Sequence, residues 1–285
     1  MKRLALVLVA CGGGSSKPDA VIDAGPRCTA SAPFGTPVAI TSLNTSFDDQ
    51  GARLTPDELT VVFARSRSNG TSDLYLATRT AATDDFGTPE LLGTANSVNS
   101  ELWPTLAPNG LLMLFESDRG TNVFHVYITK RTGTDQPFGP PMSSVALADG
   151  DGDPLLANAG ALYFSSSTRT GLGSGDIWRV DIDSTGATGT PAAVIGDVNG
   201  SGDERAPAVT ADERVMAFAR GSDIYMASRS SASDGFGTAT PIDGLADPNA
   251  HEAPTWISPD GCHLYVQSDG SGGSGGLDLY MASRP

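Results

Sequence analysis

The stretch Pro254-Thr255-Trp256-Ile257-Ser258-Pro259-Asp260-Gly261-Cys262-His263-Leu264-Tyr265-Val266-Gln267-Ser268, followed by Gly275-Gly276-Leu277-Asp278-Leu279-Tyr280-Met281-Ala282-Ser283-Arg284, reads as strand, turn, strand, glycine-rich turn, strand. In Pro259-Asp260-Gly261, proline presets φ and glycine accepts a positive φ. His263 to Ser268 alternates, with Leu264 and Val266 on one face. Asp278-Leu279-Tyr280 leads the third strand, and the rest of the chain varies this unit.

The triplet recurs as Asp73-Leu74-Tyr75, His125-Val126-Tyr127, Asp176-Ile177-Trp178 and Asp223-Ile224-Tyr225, at a period of about fifty residues, which suits propeller blades. An apolar strand precedes each copy: Thr60 to Ala64, Leu111 to Phe115, Ala161 to Phe164, Val215 to Phe218. Turns precede those strands at Thr55-Pro56-Asp57-Glu58, Ala107-Pro108-Asn109-Gly110, Ala157-Asn158-Ala159-Gly160 and Thr210-Ala211-Asp212-Glu213. After each triplet a further strand is announced by Phe86-Gly87, Phe138-Gly139, Thr188-Gly189 and Phe236-Gly237. The last unit lacks its announcer. The missing piece stands at the beginning, as Phe34-Gly35-Thr36-Pro37 before Val38-Ala39-Ile40.

This offset is what ring closure requires, because an open sheet edge leaves N–H and C=O groups without partners. The sequence therefore predicts an all-β fold, a five-bladed propeller of four-stranded blades. The N-terminal strand completes the last blade. A β-sandwich is the competing architecture, but it does not predict the offset. Cys28 precedes the borrowed strand and Cys262 follows the first turn of blade five, on the same side of the ring. A disulfide between them is compatible with an oxidising compartment, and two free thiols are the alternative.

The N-terminus reads as an address. Met1-Lys2-Arg3 is basic, Leu4 to Val9 is apolar and too short to span a bilayer, and Leu8-Val9-Ala10-Cys11 resembles a bacterial lipobox. The resemblance implies a signal peptide at residues 1–10 and lipid on Cys11. Gly12 after the cysteine implies a bacterial outer-membrane lipoprotein, facing the periplasm or the cell surface. Residues 11–32 read as a flexible tether, since Gly/Ser-rich segments without an apolar pattern behave as coil. Residues 33–285 read as one propeller domain. A net charge of −15 excludes nucleic acid as a partner, because phosphate binding needs clustered Lys and Arg. Contact with the membrane is expected through the Cys11 lipid alone.

Glu101-x-x-Pro104-x-x-Ala107-Pro108-Asn109-Gly110, then Leu114-Phe115-x-Ser117-Asp118-Arg119-Gly120, resembles the TolB-type, WD-like propeller repeat. Ser258-Pro259-Asp260-Gly261 and Gly275-Gly276-Leu277-Asp278-Leu279-Tyr280 match that pattern best. The likeness runs from about residue 34 to 285 and weakens in blade three, where Ala157-Asn158-Ala159-Gly160 replaces the Pro-Asp-Gly turn. Such propellers serve as periplasmic protein-binding modules or accompany peptidase and peptidoglycan-binding domains. The resemblance thus implies an envelope protein or peptide as partner, with an envelope polysaccharide as the alternative.

The connections from each outer strand to the next inner strand are acidic and surround one mouth of the channel. Asp49, Glu101, Asp151, Glu204 and Glu252 form the expected ligand-binding ring, with Trp103 and Trp256 on the inner strands beside them. Asp, Asn and Gly are also ordinary turn residues. No cofactor is expected; calcium is the one weak possibility. Asp197-x-Asn199-x-Ser201, with Asp203 behind, alternates oxygen donors, but an EF-hand needs a glutamate where Ala208 stands. No nucleophile elbow and no His/Cys cluster is present, so no catalytic residue is assigned. The expectation is a non-catalytic envelope propeller. A glycosidase using two mouth carboxylates and a purely structural scaffold are the alternatives.

Overall fold

The computed structural model describes residues 28–285 apart from 145, 146, 159, 184, 185, 188, 246–248 and 271. The expected leader and Cys11 lie outside the described residues. Strand β1 (Val38–Ala39) comes first in the chain and belongs to the last blade. Blade one is β2 (Asp49–Leu54), β3 (Thr60–Ser66), β4 (Ser72–Thr78) and β5 (Glu90–Leu91). Blade two is β6 (Glu101–Leu106), β7 (Leu112–Ser117), β8 (His125–Lys130) and β9 (Met142–Ser143). Blade three is β10 (Asp151–Asn158), β11 (Ala161–Ser166), β12 (Asp176–Asp183), a small added hairpin strand β13 (Gly186–Ala187), and β14 (Ala192–Ala193). Blade four is β15 (Glu204–Val209), β16 (Val215–Arg220), β17 (Asp223–Ser228) and β18 (Thr240–Pro241). Blade five is β19 (Glu252–Ile257), β20 (His263–Ser268) and β21 (Asp278–Ser283), completed by β1.

Within the blades all described strand pairs are antiparallel, and the five-bladed reading of the sequence is what the chain adopts. Closure is direct: Val38 pairs with Met281 and Ala39 with Tyr280. Gly35 N–H donates to Ser283 O and Ile40 N–H to Leu279 O, which lengthens the seam at both ends. Cys28 and Cys262 are bonded, with Cα atoms 5.7 Å apart and a sequence separation of 234. Thr29 N–H donates to Pro285 O, which holds the segment before β1 against the last residue of the chain.

The second strand of each blade is buried on both faces, as at Val61, Val62, Phe63 and Ala64. A blade in a ring has a neighbour on each side, which is why these strands read as continuous apolar runs. Val62, Leu74, Met113 and Phe115 seal blades one and two; Leu114, Ile128, Leu162 and Phe164 seal blades two and three. Two interfaces add polar staples. Glu58 accepts from His263 Nδ1 at 2.7 Å and from Tyr265 Oη at 3.3 Å, joining blades one and five. Glu213 accepts from Tyr163 Oη at 2.7 Å and from Arg179 Nε at 2.6 Å, joining blades four and three. Burial opposes ionisation of Glu213, but these donors together hold its pKa below the usual range.

The disulfide closes a loop that spans most of the ring, so it removes much chain entropy from the unfolded state. Cys262→Ser is expected to lower unfolding free energy by about 4 kcal/mol. Urea titration under non-reducing conditions measures it; an unchanged midpoint contradicts this role.

Candidate functional site

The inner strands begin at the channel mouth, and the five expected carboxylates stand at their first residues. Four of them are fully buried rather than presented to a ligand, and each is held by an arginine of its own blade. Asp49 pairs with Arg65 at 2.6 Å, Glu101 with Arg119 at 2.9 Å, Asp151 with Arg169 at 2.6 Å and Glu204 with Arg220 at 3.0 Å. Each carboxylate also accepts from the preceding loop: from Thr45, Ser97, Ala148 and Gly200 N–H groups. Burial raises the pKa of Asp49, and Arg65 and Thr45 oppose it.

The arginines complete a repeated stack. Arg65 lies 4.9 Å from the Tyr75 ring centre, Arg119 4.9 Å from Tyr127, Arg169 5.6 Å from Trp178 and Arg220 4.9 Å from Tyr225. The aromatic residue of the triplet in blades one to four thus carries a guanidinium that neutralises the mouth carboxylate. Blade five has no arginine between Gln267 and Asp278; Glu252 there is half-buried and its N–H donates to Ser222 O.

The remaining expected residues divide. Trp256 is largely buried, edge-on to Tyr265 at 5.6 Å, and with Leu54, Leu106, Leu156 and Val209 of the other four inner strands it lines a small cavity where the five blades meet. Trp103 is half-buried at the axis, with the Arg53 guanidinium 5.5 Å from its ring centre. The calcium-like loop is used otherwise. Asn199 Oδ1 accepts from Ile177 N–H at 2.7 Å, and Nδ2 donates to Ile177 O at 2.9 Å and Val194 O at 3.1 Å. Asp197 accepts from Ala239 N–H, Asp203 pairs with Arg205 at 3.6 Å, and Ser201 is exposed. Among the described residues no three His, Cys, Asp or Glu side chains converge on one point. Asn44 and Asn96 clamp Leu279 and Leu74 in the same way as Asn199 clamps Ile177. The signal was Asn followed five residues later by the buried acid, at 44/49, 96/101 and 199/204.

All five inner strands bulge at their third or fourth residue. Gly51, Trp103, Asp153 and Ala206 take positive φ there, at 64°, 47°, 52° and 51°. Proline follows three of them, which suits a position that gives up a ladder N–H. The freed N–H groups are taken across blade boundaries: Gly51 donates to Gln267 Oε1 at 2.8 Å, Asp153 to Glu116 Oε1, and Ala206 to Asp153 Oδ2 at 3.1 Å. Arg53, fully buried, crosses the axis from blade one to Pro207 O at 3.1 Å and Asp153 O at 3.2 Å. Burial pushes its guanidinium pKa down to about 10, opposed by Asp153 and Glu116. Burial pushes the Glu116 carboxyl up to about 8, reinforced by Asp153. Sequence reading gave no role to Arg53 or Glu116, because neither recurs at the corresponding place of the other blades.

Above this hub a cavity of ≈ 260 Å³ opens at the mouth between blades two, three and four, lined by Glu116, Asp151, Ser165, Ser167, Glu204 and Arg205 among others. Around it lie exposed apolar side chains. Apart from Val38, Leu91 and Met142 on outer strands, the exposed large apolar residues described are Phe47, Val98, Val123, Leu172 and Ile195. All five sit in loops that enter first strands or join second to third strands, hence on the mouth face. Val98 and Leu172 are the most exposed, at 86% and 74%.

No protein-family model and no curated protein sequence matches this chain. Solved structures do. A GH43_1 enzyme from Xanthomonas citri superposes with a TM-score of 0.59 at 14% identity, over 87% of this chain and 90% of that one. An α-L-arabinofuranosidase from Podospora anserina gives 0.51 at 10% identity, over 90% and 98%. TolB from Acinetobacter baumannii gives 0.49 at 15% identity; the match covers 88% of this chain and only 55% of that protein's length. At these identities the likeness shows the fold.

Glu116 supplies a pH test. Its folded pKa lies above the unfolded value of about 4.5, so the folded state holds the proton more tightly. Its stabilisation is complete below about pH 4.5 and is lost by roughly 1.4 kcal/mol per pH unit up to about pH 8. Glu116→Gln keeps an oxygen for Asp153 N–H and removes the titration. Its unfolding free energy should exceed the parent's increasingly from pH 5 to pH 8; parallel curves would refute the assignment.

Proposed function

We propose that this chain is a non-catalytic, lipid-anchored envelope propeller that holds a partner protein or peptide on its mouth face. The observation that carries the reading is the placement of five exposed apolar side chains in the loops of that one face. Acids stand among them: Asp48, Asp118 and Asp269 accept backbone N–H groups from Leu277, Ser100 and His251. A partner that combines apolar and basic residues matches this surface, and the chain's charge of −15 speeds its approach. The buried ion pairs give the face a fixed shape, which favours binding without a large ordering cost.

A second reading has one observation in its favour. Glu116, its carboxyl pushed up to about 8 by burial and by Asp153, borders the mouth cavity, and a carboxyl kept protonated near neutral pH is what the general acid of glycoside hydrolysis needs. The originally expected pairs built on Glu101 or Glu204 favour it less, since arginines occupy those carboxylates.

The two readings separate experimentally. The double variant Val98→Glu/Leu172→Glu should abolish salt-sensitive capture of an envelope partner, whereas Leu91→Glu/Met142→Glu on the outer strands should leave it intact. Equal loss from both pairs contradicts the mouth face as the docking surface. Release of sugar from xylo-oligosaccharides that disappears in Glu116→Gln establishes the glycosidase reading instead.

A further inference from the structure

An arginine at the end of the third strand stacks on the phenylalanine before the outer strand in blades one, two, four and five. The distances are 4.3 Å for Arg79 on Phe86, 4.6 Å for Arg131 on Phe138, 4.3 Å for Arg229 on Phe236 and 4.2 Å for Arg284 on Phe34. In blades one and four this guanidinium meets a carboxylate from the last residue of the turn: Glu58 at 3.6 Å and Glu213 at 3.8 Å. It also donates to a tyrosine of the preceding blade, Tyr265 at 3.0 Å and Tyr163 at 2.9 Å.

Blade five keeps the arginine and the phenylalanine but has neither acceptor. The turn position is Gly261, and blade four has Ala217 where blades three and five have Tyr163 and Tyr265. Arg284 Nη1 donates to Ala30 O at 2.5 Å, Nη2 faces the Met226 thioether at 3.3 Å, and buried Nε has no partner. Burial lowers its pKa and no carboxylate opposes the shift. The guanidinium borders a cavity of ≈ 390 Å³ between blades four and five, with Val215, Met226, Pro241, Ile242 and Phe34 on its walls. Asp243, at its edge, is exposed and makes no ion pair with Arg284. Val215 is the first residue of β16, the place His263 holds in β20 beside Glu58. The cavity therefore lies where the interface of blades five and one and that of blades three and four hold their own glutamate.

We propose that this cavity binds a small organic carboxylate on a short apolar stem, its carboxylate taking on Arg284 the place that Glu58 and Glu213 take on Arg79 and Arg229. The internal copies define the chemistry: a planar carboxylate opposite a planar guanidinium, with the stem against apolar walls. The chain's net charge of −15 opposes an approaching anion at long range, so moderate salt should not weaken binding steeply. The site is on the face opposite the mouth and is independent of the partner-binding reading.

Hexanoate is the probe, added to the full chain carrying ¹³C-labelled methionine methyl groups, with hexanol and hexanamide as neutral controls. The Met226 methyl resonance should shift saturably with hexanoate and at least about tenfold more weakly with either control. Arg284→Gln should abolish the hexanoate shift. Gly261→Glu should also block it, because the repeat's own carboxylate then fills the place. Gly261 has φ 72°, and Glu58 and Glu213 already adopt φ of 61° and 59° at this turn position. A Cβ on Gly261 meets nothing closer than Arg284 Nη1 at 3.7 Å, so this variant keeps the fold even if Arg284→Gln does not. Absence of a saturable shift, equal response to hexanol, or undiminished binding by Gly261→Glu overturns the proposal.

Discussion

Two residues of β1 pair with two of β21, and the other four blades depend on that short ladder. A blade buries both faces only if it has neighbours on both sides, and in a ring every blade has them once the seam is shut. An open seam would expose the wide apolar faces of blades one and five as well as a strand edge. The disulfide ties the segment leading into β1 to the turn between β19 and β20, inside blade five, and so places a covalent restraint where chain connectivity supplies none. The Glu58–His263–Tyr265 staple adds a polar restraint between blade five and blade one.

The acids at the mouth looked like a ligand site because they recur at one end of the channel. Their recurrence has a different cause. Each blade must turn an outer loop into an inner strand, and the loop N–H groups need an acceptor there. A buried carboxylate meets that need, and an arginine laid across the triplet's aromatic ring neutralises it. Such pairs contribute little net stability over apolar packing but fix geometry, because a misplaced strand would leave a buried charge without its partner. What remains for binding is the outer surface of these loops, and the sequence distributes apolar tips and acids over it.

Blade count, offset closure, the Cys28–Cys262 pairing and the second and third strands of every blade were legible in the sequence. Each follows from a period or from a residue whose chemistry has one use. The roles of Asp49, Glu101, Asp151 and Glu204 were not, because an acid in a loop reads alike whether it faces solvent or an arginine sixteen or more residues later. The side-chain order along β19 was not legible either. The bulge shifts the side-chain alternation within β19, and a period-two reading carries no signal of a bulge. Arg53, Glu116 and Asp153 come from three different blades, so only the closed ring brings them to one axis.

Closure as the organising constraint makes a statement about local stability. If the seam holds the ring, its amides open only with the whole domain while the disulfide is intact. Native-state hydrogen exchange, followed residue by residue with and without reductant, measures this directly. The account predicts that Ile40 and Gly35 N–H groups exchange as slowly as those of β3 and β11 in the oxidised protein. On reduction, these seam amides should lose protection before the amides of β3 and β11 do. Exchange of Ile40 and Gly35 at loop-like rates in the oxidised protein, with the inner strands still protected, would contradict it.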